Sequence, residues 1–460
     1  VRVLIATYSE KTHFLGMVPL AWALRTAGHE VLVASQPELI DAIAGTGLTA
    51  VPVGRDHSLY RRFAWARLQG LDDDPGFFDV GDRWPDDLTW SRVRWGYREV
   101  VTWWWKVVNE PMLDDLADLC RAWRPDLVLW EPGTHAAPVA AAASGAAHGR
   151  VLWSADLYGR MRADFLRLAA EQPASEREDA LGEWLAARIS AYGGAFSEHM
   201  TRGHFTVDPM PRSIGLDSGV RRVPMRYVPY NGRAVVPDWL REPADRPRVC
   251  LTMGVSADER LGRHAVSVSD VLDALADLDV EIVAPLPHAP PGFTAPPNAR
   301  VTGFVPLHAL LPTCAAMINH GGPGTVCTTL FHGVPQLLLP RTLLDDPLVA
   351  RNIAEQGAGL ALPSAEATGT AVREHLLRLL DEPSFAEGAA RLREEMLAMP
   401  GPNAVVPLLE ELTATYHGSP PRPPITAPRP SSTAHRSTAP PLHRSTAPPL
   451  HGSTAHDETR

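Results

Sequence analysis

The chain is poor in cysteine, carries no excess of positive charge and contains no apolar run long enough to cross a bilayer. Its four cysteines, Cys120, Cys250, Cys314 and Cys327, are scattered over 460 residues. They form no C-x-x-C pair and sit in apolar or helical contexts, so they read as reduced core thiols and not as a metal-ligand cluster. A formal net charge of −10 and a pI near 6.0 argue against a nucleic-acid groove, which needs a basic face to displace counterions from phosphates. The longest candidate span, "AAPVAAAASGAA" from Ala136, is too short and too small-sided for a membrane helix. At the start, "VRVLIATYSEK" breaks off at Glu10 without a small-residue cleavage site, so it reads as a buried strand and not as a signal peptide. These absences lead us to expect a soluble cytoplasmic protein that acts on small molecules.

What is present is an alternation of short apolar strands and amphipathic helices. Val1 to Ala6 is a β-type run, and "MVPLAWALRTAG" places Leu20, Ala23, Leu24 and Ala27 on one helical face before Gly28. "HEVLVAS" follows as a second strand, and the order recurs in "LDDLADLCRAW" with "PDLVLW" and in "AAPVAAAASGAA" with "GRVLW". The pattern predicts an open parallel sheet with crossover helices. "REPADRPR", from Arg241 to Arg248, has the composition of a domain linker. The pattern then restarts with "VCLTMGV", a helix over "VSVSDVLDALADL" that Ser269 is placed to cap, "VEIVAP" and "AAMIN". The expected fold class is therefore α/β, with two Rossmann-like, doubly wound halves at 1–240 and 241–416. Ten of the 44 prolines fall in the last 41 residues, and "HRSTAPPL" occurs twice from His435. A repeat this short and polar marks 417–460 as a disordered tail.

The stretch "NHGGPGTVCTTLFHGVPQ", 319–336, is a glycine-rich strand-to-helix passage. Gly321, Gly322 and Gly324 allow a backbone to approach an anion, the helix start offers unpaired amides, Thr325 adds a hydroxyl, and His320 adds a ring donor. No lysine follows the last glycine and no G-x-G-x-x-G spacing is present, which excludes a Walker loop and a dinucleotide fingerprint. The first-half loop "TYSEKTHFLG" lacks a glycine trio too, which argues against a nicotinamide enzyme. On the residues alone two readings stay open, an anion cradle and a tight turn. In "TMGVS", Gly254 permits close backbone approach, and Ser256 is either a phosphate contact or a plain loop serine.

Chemistry at a hydroxyl needs a proton acceptor, and His13 lies in the loop after the first strand, at the sheet edge where open α/β folds hold ligands. By position alone it is either a base or a packing histidine. Glu131, at the end of "PDLVLW", is placed either to fix the imidazole tautomer or to cap a turn before Pro132.

"HGGPGT" followed by "HGVPQLLLP" resembles the donor signature of two-domain GT-B glycosyltransferases of the bacterial natural-product branch. The likeness extends through "THFLGMVPLAWALRTAGHEVLVASQP", "WWWKVVNEPMLDDLADLC", "RVCLTMGVS" and "FVPLHALLP". It covers Val1 to about Tyr416 and is similar to the macrolide and anthracycline deoxysugar transferases of actinomycetes. The resemblance implies two domains facing across a cleft, with the last helix returning to the first, and the diphosphate of a dTDP-sugar against His320, Gly321, Gly322, Gly324 and Thr325. It implies His13 as the base with Glu131 as its partner, inversion at the sugar, and no metal or other cofactor, because helix amides and donors receive the leaving diphosphate. Phe304 matches the aromatic that stacks on the pyrimidine, with Val305 offering backbone atoms to the base edge. Asp345 and Asp346 fall where related enzymes often carry aspartate then glutamine. A second carboxylate there suits a protonated aminosugar.

Nine of the thirteen tryptophans lie between Trp65 and Trp130, including Trp103, Trp104 and Trp105. Three in succession cannot all face inward on one helix, so this region is expected to line an aglycone pocket, to dock a partner, or simply to pack. Several transferases of this kind need a cytochrome-like activator protein on the first domain. The expected function is transfer of a deoxysugar or aminodeoxysugar to a hydroxyl of a polyketide aglycone in antibiotic biosynthesis. Its rivals are a nucleotide-sugar epimerase of the same architecture and a non-catalytic binding homologue.

Overall fold

Along β1 (Arg2–Ala6) successive side chains enter opposite faces: Leu4 and Ala6 join one buried apolar cluster, Val3 and Ile5 another. A strand apolar on both sides belongs in the middle of a parallel sheet covered by helices. The computed structural model describes residues 1–68, 88–254, 266–286, 294–341 and 344–418. Ser256, Trp84 and the proline-rich tail from residue 419 lie outside the described residues.

Around β1 the first sheet is built from β2 (Glu30–Ser35), β3 (Ala50–Pro52), β4 (Leu127–Trp130), β5 (Ala147–Val151), β6 (Phe205–Asp208) and β7 (Arg222–Pro224). Its order is β3-β2-β1-β4-β5-β6-β7. The second sheet comprises β8 (Arg248–Thr252), β9 (Glu281–Pro285), β10 (Ala299–Thr302), β11 (Cys314–Asn319), β12 (Gln336–Leu338) and β13 (Gly359–Ala361), in the order β10-β9-β8-β11-β12-β13. The described pairings in both are parallel. In each sheet the chain starts at the centre, winds to one edge and returns to wind the other way. The reversals fall between β1 and β4, where Ala6 pairs with Trp130, and between β8 and β11, where Thr252 pairs with Asn319. Crevices open beyond the carboxyl ends of strands at such switch points.

Local chemistry fixes the helices. In Leu113–Trp123, Leu113, Leu116, Ala117 and Cys120 form the buried stripe, two aspartates occupy the first turn, and Arg124 ends it in the left-handed region at φ 54°. Three details differ from the sequence reading. The helix Val18–Thr26 stops before Ala27, which is exposed because it already belongs to the turn. Ser267, not Ser269, caps Val268–Ala274, since its side chain accepts from the Asp270 amide. Arg248 is the first residue of β8 and is buried against Glu281 and Thr313, so it is part of the sheet and not of a linker.

Three of the cysteines are buried, Cys314 is half-buried, and all four are free; burial pushes the Cys120 and Cys327 thiols up to about 12. The last helix, Pro402–Tyr416, carries Val405, Val406, Leu409 and Leu412 into the cluster beneath β1 and packs on Val18–Thr26. Leu344 and Leu348 of the second half likewise enter the cluster on the other face of the first sheet. Among the described residues no helix is long and apolar enough to cross a membrane.

Candidate active site

His13 and Glu131 follow the two strands that flank the first switch point, Glu131 in a turn and His13 on a short helix where the sequence suggested a loop. Glu10 caps the helix Lys11–Leu15, on which Phe14 is buried and His13 faces the crevice with 17% of its side chain exposed. Its Nδ1 lies 3.1 Å from Glu131 Oε1. The Glu131 carboxylate is almost fully buried, and three donors besides His13 satisfy it: Trp153 Nε1 at 2.9 Å, the Gly133 amide at 3.0 Å and Thr134 Oγ1 at 2.8 Å. Glu131 therefore does both things the sequence left open: one carboxylate oxygen meets His13 and Trp153, and the other caps the turn at Gly133 and Thr134.

Burial works against charge on His13, but its bond to Glu131 and the charges of Glu131, Glu10 and Asp345 outweigh it, and the pKa rises above 6.5. Burial also works against the Glu131 carboxylate and is outweighed by His13, Trp153 and the Gly133 amide, so that pKa falls below 4.5. An ionised Glu131 takes its proton bond from Nδ1–H, which leaves the lone pair on Nε2. The Trp153 indole stacks on the imidazole, with centroids 4.3 Å apart and planes 14° from parallel, and so stabilises an imidazolium from its face. Arg150 holds the loop that carries Trp153 through a bidentate bond to Asp156 at 2.8 and 2.6 Å, itself fully buried.

At the second switch point β11 runs into the 319–325 loop. Asn319 Oδ1 accepts the Gly321 amide at 2.8 Å, so that amide is committed within the loop. Gly321 contributes instead through its left-handed backbone, φ 94°, which turns the chain. The helix begins at Pro323, with Gly322 as cap and no side-chain acceptor there. Its first internal bond runs from the Val326 amide to Gly322 O. Proline has no amide, so the donor capacity of this helix end lies on Gly324 and Thr325. His320 packs between two glycines: a Cβ on Gly254 would stand 2.3 Å from its ring, and one on Gly322 2.4 Å. Glycine at both positions is a packing requirement of that imidazole.

The two sites meet through Asp345 and Asp346. Asp345 stands at the start of the helix Asp346–Glu355 without bonding its amides from the side chain, and its carboxyl reaches across to the Ser154 hydroxyl and the Ala155 amide of the first half. Asp346 packs against Gly321. Both carboxyls are buried, where a solvated pair is the ordinary expectation for adjacent loop acids. Burial pushes Asp345 up to about 6; burial and the neighbouring Asp345 push Asp346 up to about 8. Leu344, just before them, holds φ 52°, a strained value for leucine. Phe304 follows β10 with 53% of its surface exposed, so it is not a core residue. Val305 beside it is buried with Leu310, Leu311 and Met317.

The family model described as "Erythromycin biosynthesis protein CIII-like, N-terminal domain" matches residues 22–254, and the corresponding C-terminal domain matches 269–412. The chain belongs to this family. The chain is 49% identical to 10-deoxymethynolide desosaminyltransferase of Streptomyces venezuelae, over 91% of this chain and 99% of that one. It is 46% identical to aclacinomycin-T 2-deoxy-L-fucose transferase of Streptomyces galilaeus, over 90% and 97%. The solved structure of glycosyltransferase VinC in complex with dTDP superposes with a TM-score of 0.81 at 38% identity, over 90% of this chain and 100% of that one. This CIII-like protein is thus a glycosyltransferase with the GT-B fold, and its two Rossmann-like halves are those of the family.

Several residues of this CIII-like site are not singled out by the sequence. Trp153 and Ser154 act on Glu131 and Asp345 through tertiary contacts, and Thr134 and Asn319 act on Glu131 and Gly321 through local ones. The one signal for them is position, since Trp153 and Ser154 follow a strand end in the manner of His13 and Glu131. Tyr227 has no such signal: its hydroxyl donates to Gly324 O at 3.3 Å, joining the segment after β7 to the donor helix.

Proposed function

We propose that the chain transfers a deoxysugar from a dTDP donor to a hydroxyl of a macrolide or anthracycline aglycone, with His13 as the general base. The observation that carries this reading is the His13 Nδ1 to Glu131 Oε1 contact of 3.1 Å at the switch point, within electrostatic reach of Asp345 from the donor half. The acceptor hydroxyl gives its proton to His13 Nε2, and its oxygen forms a bond to the anomeric carbon. The bond from that carbon to the diphosphate oxygen breaks, and the electron pair leaves with dTDP. Glu131 and the Trp153 face stabilise the imidazolium. The departing charge is received by His320 and the Gly324 and Thr325 amides at the positive end of the helix Pro323–His332, which supports transfer without a divalent metal. Attack from the first half on a bond held by the second favours inversion. Phe304 offers an exposed ring to the pyrimidine.

The buried pair Asp345 and Asp346 suits a sugar bearing an ammonium group, which would hold both carboxyls ionised. Exposed Trp65 at 61% and Trp103 at 50% support a docking face for a cytochrome-like activator on the first half.

The test is incubation with amino and neutral dTDP-deoxysugars and a panel of macrolide and anthracycline aglycones, with and without a candidate activator, read by mass spectrometry. A glycosylated aglycone whose yield falls about 10²–10⁴-fold in His13→Ala is expected. Unchanged turnover in that variant would overturn the base, and unchanged turnover in the presence of EDTA is expected of a metal-independent site.

A further inference from the structure

The His13–Glu131 contact joins segments that follow different strands, and the Tyr8 amide bonds across to Thr134 Oγ1 at 2.9 Å. The helix Trp90–Val100 continues through one turn of π-helix, Val101–Trp105, into Lys106–Asn109. The Lys106 amide bonds to Val101 O, five residues back. One extra residue in a turn rotates the succeeding turn by about 100° around the axis. Asn109, completely buried, is thereby directed at the Glu131 loop. Its Nδ2 donates to Trp105 O and to Gly133 O, both at 2.8 Å, and its Oδ1 accepts the Ala136 amide at 2.8 Å. Gly133 is in turn a donor to the Glu131 carboxylate.

The other loop is held to the same helical turn. Gln36, completely buried at the end of β2, accepts the Ser9 amide at 2.7 Å and donates from Nε2 to Val108 O at 2.7 Å. Ser9 immediately precedes Glu10, the cap of the helix that carries His13. Val108 O lies in the last turn, where carbonyls lack helical partners and a side-chain donor serves as their cap. Both carboxamides have donors and acceptors used across elements, and neither touches His13 or Glu131.

We propose that Gln36 and Asn109 are positioning residues for sugar transfer: two buried carboxamides that clamp the loop before His13 and the loop after Glu131 to adjacent residues of one helix, and so set the dyad distance. The inference rests on the reading of His13 as base and Glu131 as its partner. A purely structural role would lower stability and leave the proton chemistry alone. A positioning role changes the basicity of His13 and does so only while Glu131 is present.

The experiment is a double-mutant cycle on the full chain. Gln36→Met and Asn109→Leu, which keep side-chain bulk and remove the bonds, are each made alone and with Glu131→Gln. Each single variant is expected to lower kcat about tenfold or more, to move the acid limb of the pH–rate profile toward that of Glu131→Gln, and to leave KM for the donor within about twofold. On the Glu131→Gln background the same changes are expected to cost less than about threefold. Losses that multiply, or an unmoved acid limb with a raised KM, overturn the proposal. A Glu131→Gln enzyme with normal rate and profile overturns the dyad itself, and this result is distinct from multiplicative losses. If Asn109→Leu does not fold, Gln36→Met, with dTDP binding as the check on the fold, carries the test alone.

Discussion

At His13 burial and a carboxylate act in opposite directions, and the carboxylate prevails. As the proposed base, His13 must be neutral to accept a proton, so activity should be lost as pH falls through the raised pKa. Glu131→Gln removes the first raising influence and leaves burial in place; the acid limb should shift to lower pH while the plateau rate drops about 10²-fold, read from kcat/KM profiles. Stability follows by linkage. His13, with a folded pKa above 6.5, contributes stability that is complete below 6.5 and lost as pH rises through the folded value. Glu131 contributes above 4.5 and loses its share as pH falls through its depressed value. The pair is therefore most stabilising between those limits. Asp346 has the opposite sense: with a pKa raised from 3.8 to about 8, ionising it costs the folded state, and stability declines as pH rises across that interval. Asp346→Asn should raise the Tm of the donor-free protein at pH 8 and leave it little changed at pH 4. An unchanged difference between the two pH values would contradict the buried acid.

At the scale of elements, the donor helix Pro323–His332 shows how much a short motif encodes. Glycines at 321, 322 and 324, the proline at its start and the left-handed Gly333 at its end, φ 67°, are all visible as residue types. The residue types do not tell which amides remain available: the one on Gly321 is taken by Asn319 across the strand end. Nor do they reveal that Gly254 and Gly322 enclose one imidazole. Gly322→Ala should displace His320, because the added methyl falls inside its ring, and should weaken dTDP binding by about tenfold, or roughly 1.4 kcal/mol, measured by calorimetry. Affinity equal to wild type would show that the ring makes no contribution to the site. Phe304 illustrates a limit of a different kind. A phenylalanine after a strand reads by itself as core, and as a platform only through the family resemblance; its exposure excludes the core reading.

Across the whole molecule, the last helix ties the halves together. Leu409 is buried under the first sheet although the preceding helix, Pro383–Ala398, packs its Ala389, Leu392 and Met396 into the second half. Leu409→Ala should cost about 2–5 kcal/mol, as for other buried leucines, seen as a lower urea midpoint. Because the chain returns through this helix to the first half, and Leu344 and Leu348 of the second half also enter the first half's core, both halves should unfold in one transition. A loss confined to the second half would contradict the shared core.

The sequence by itself determined the two α/β halves, the switch-point loops and the donor motif, because strand and helix periodicities and glycine chemistry are local. His13 and Glu131 were legible because each follows a strand, where the fold delivers ligands. The tertiary structure alone decided what those groups are worth. The pairing of His13 with Glu131 over 118 positions, the Trp153 stack, the burial of Asp345 and Asp346 and the carboxamide clamps join distant segments. Charge, tautomer and basicity depend on such neighbours, and neighbours across a fold leave no periodic mark in the chain.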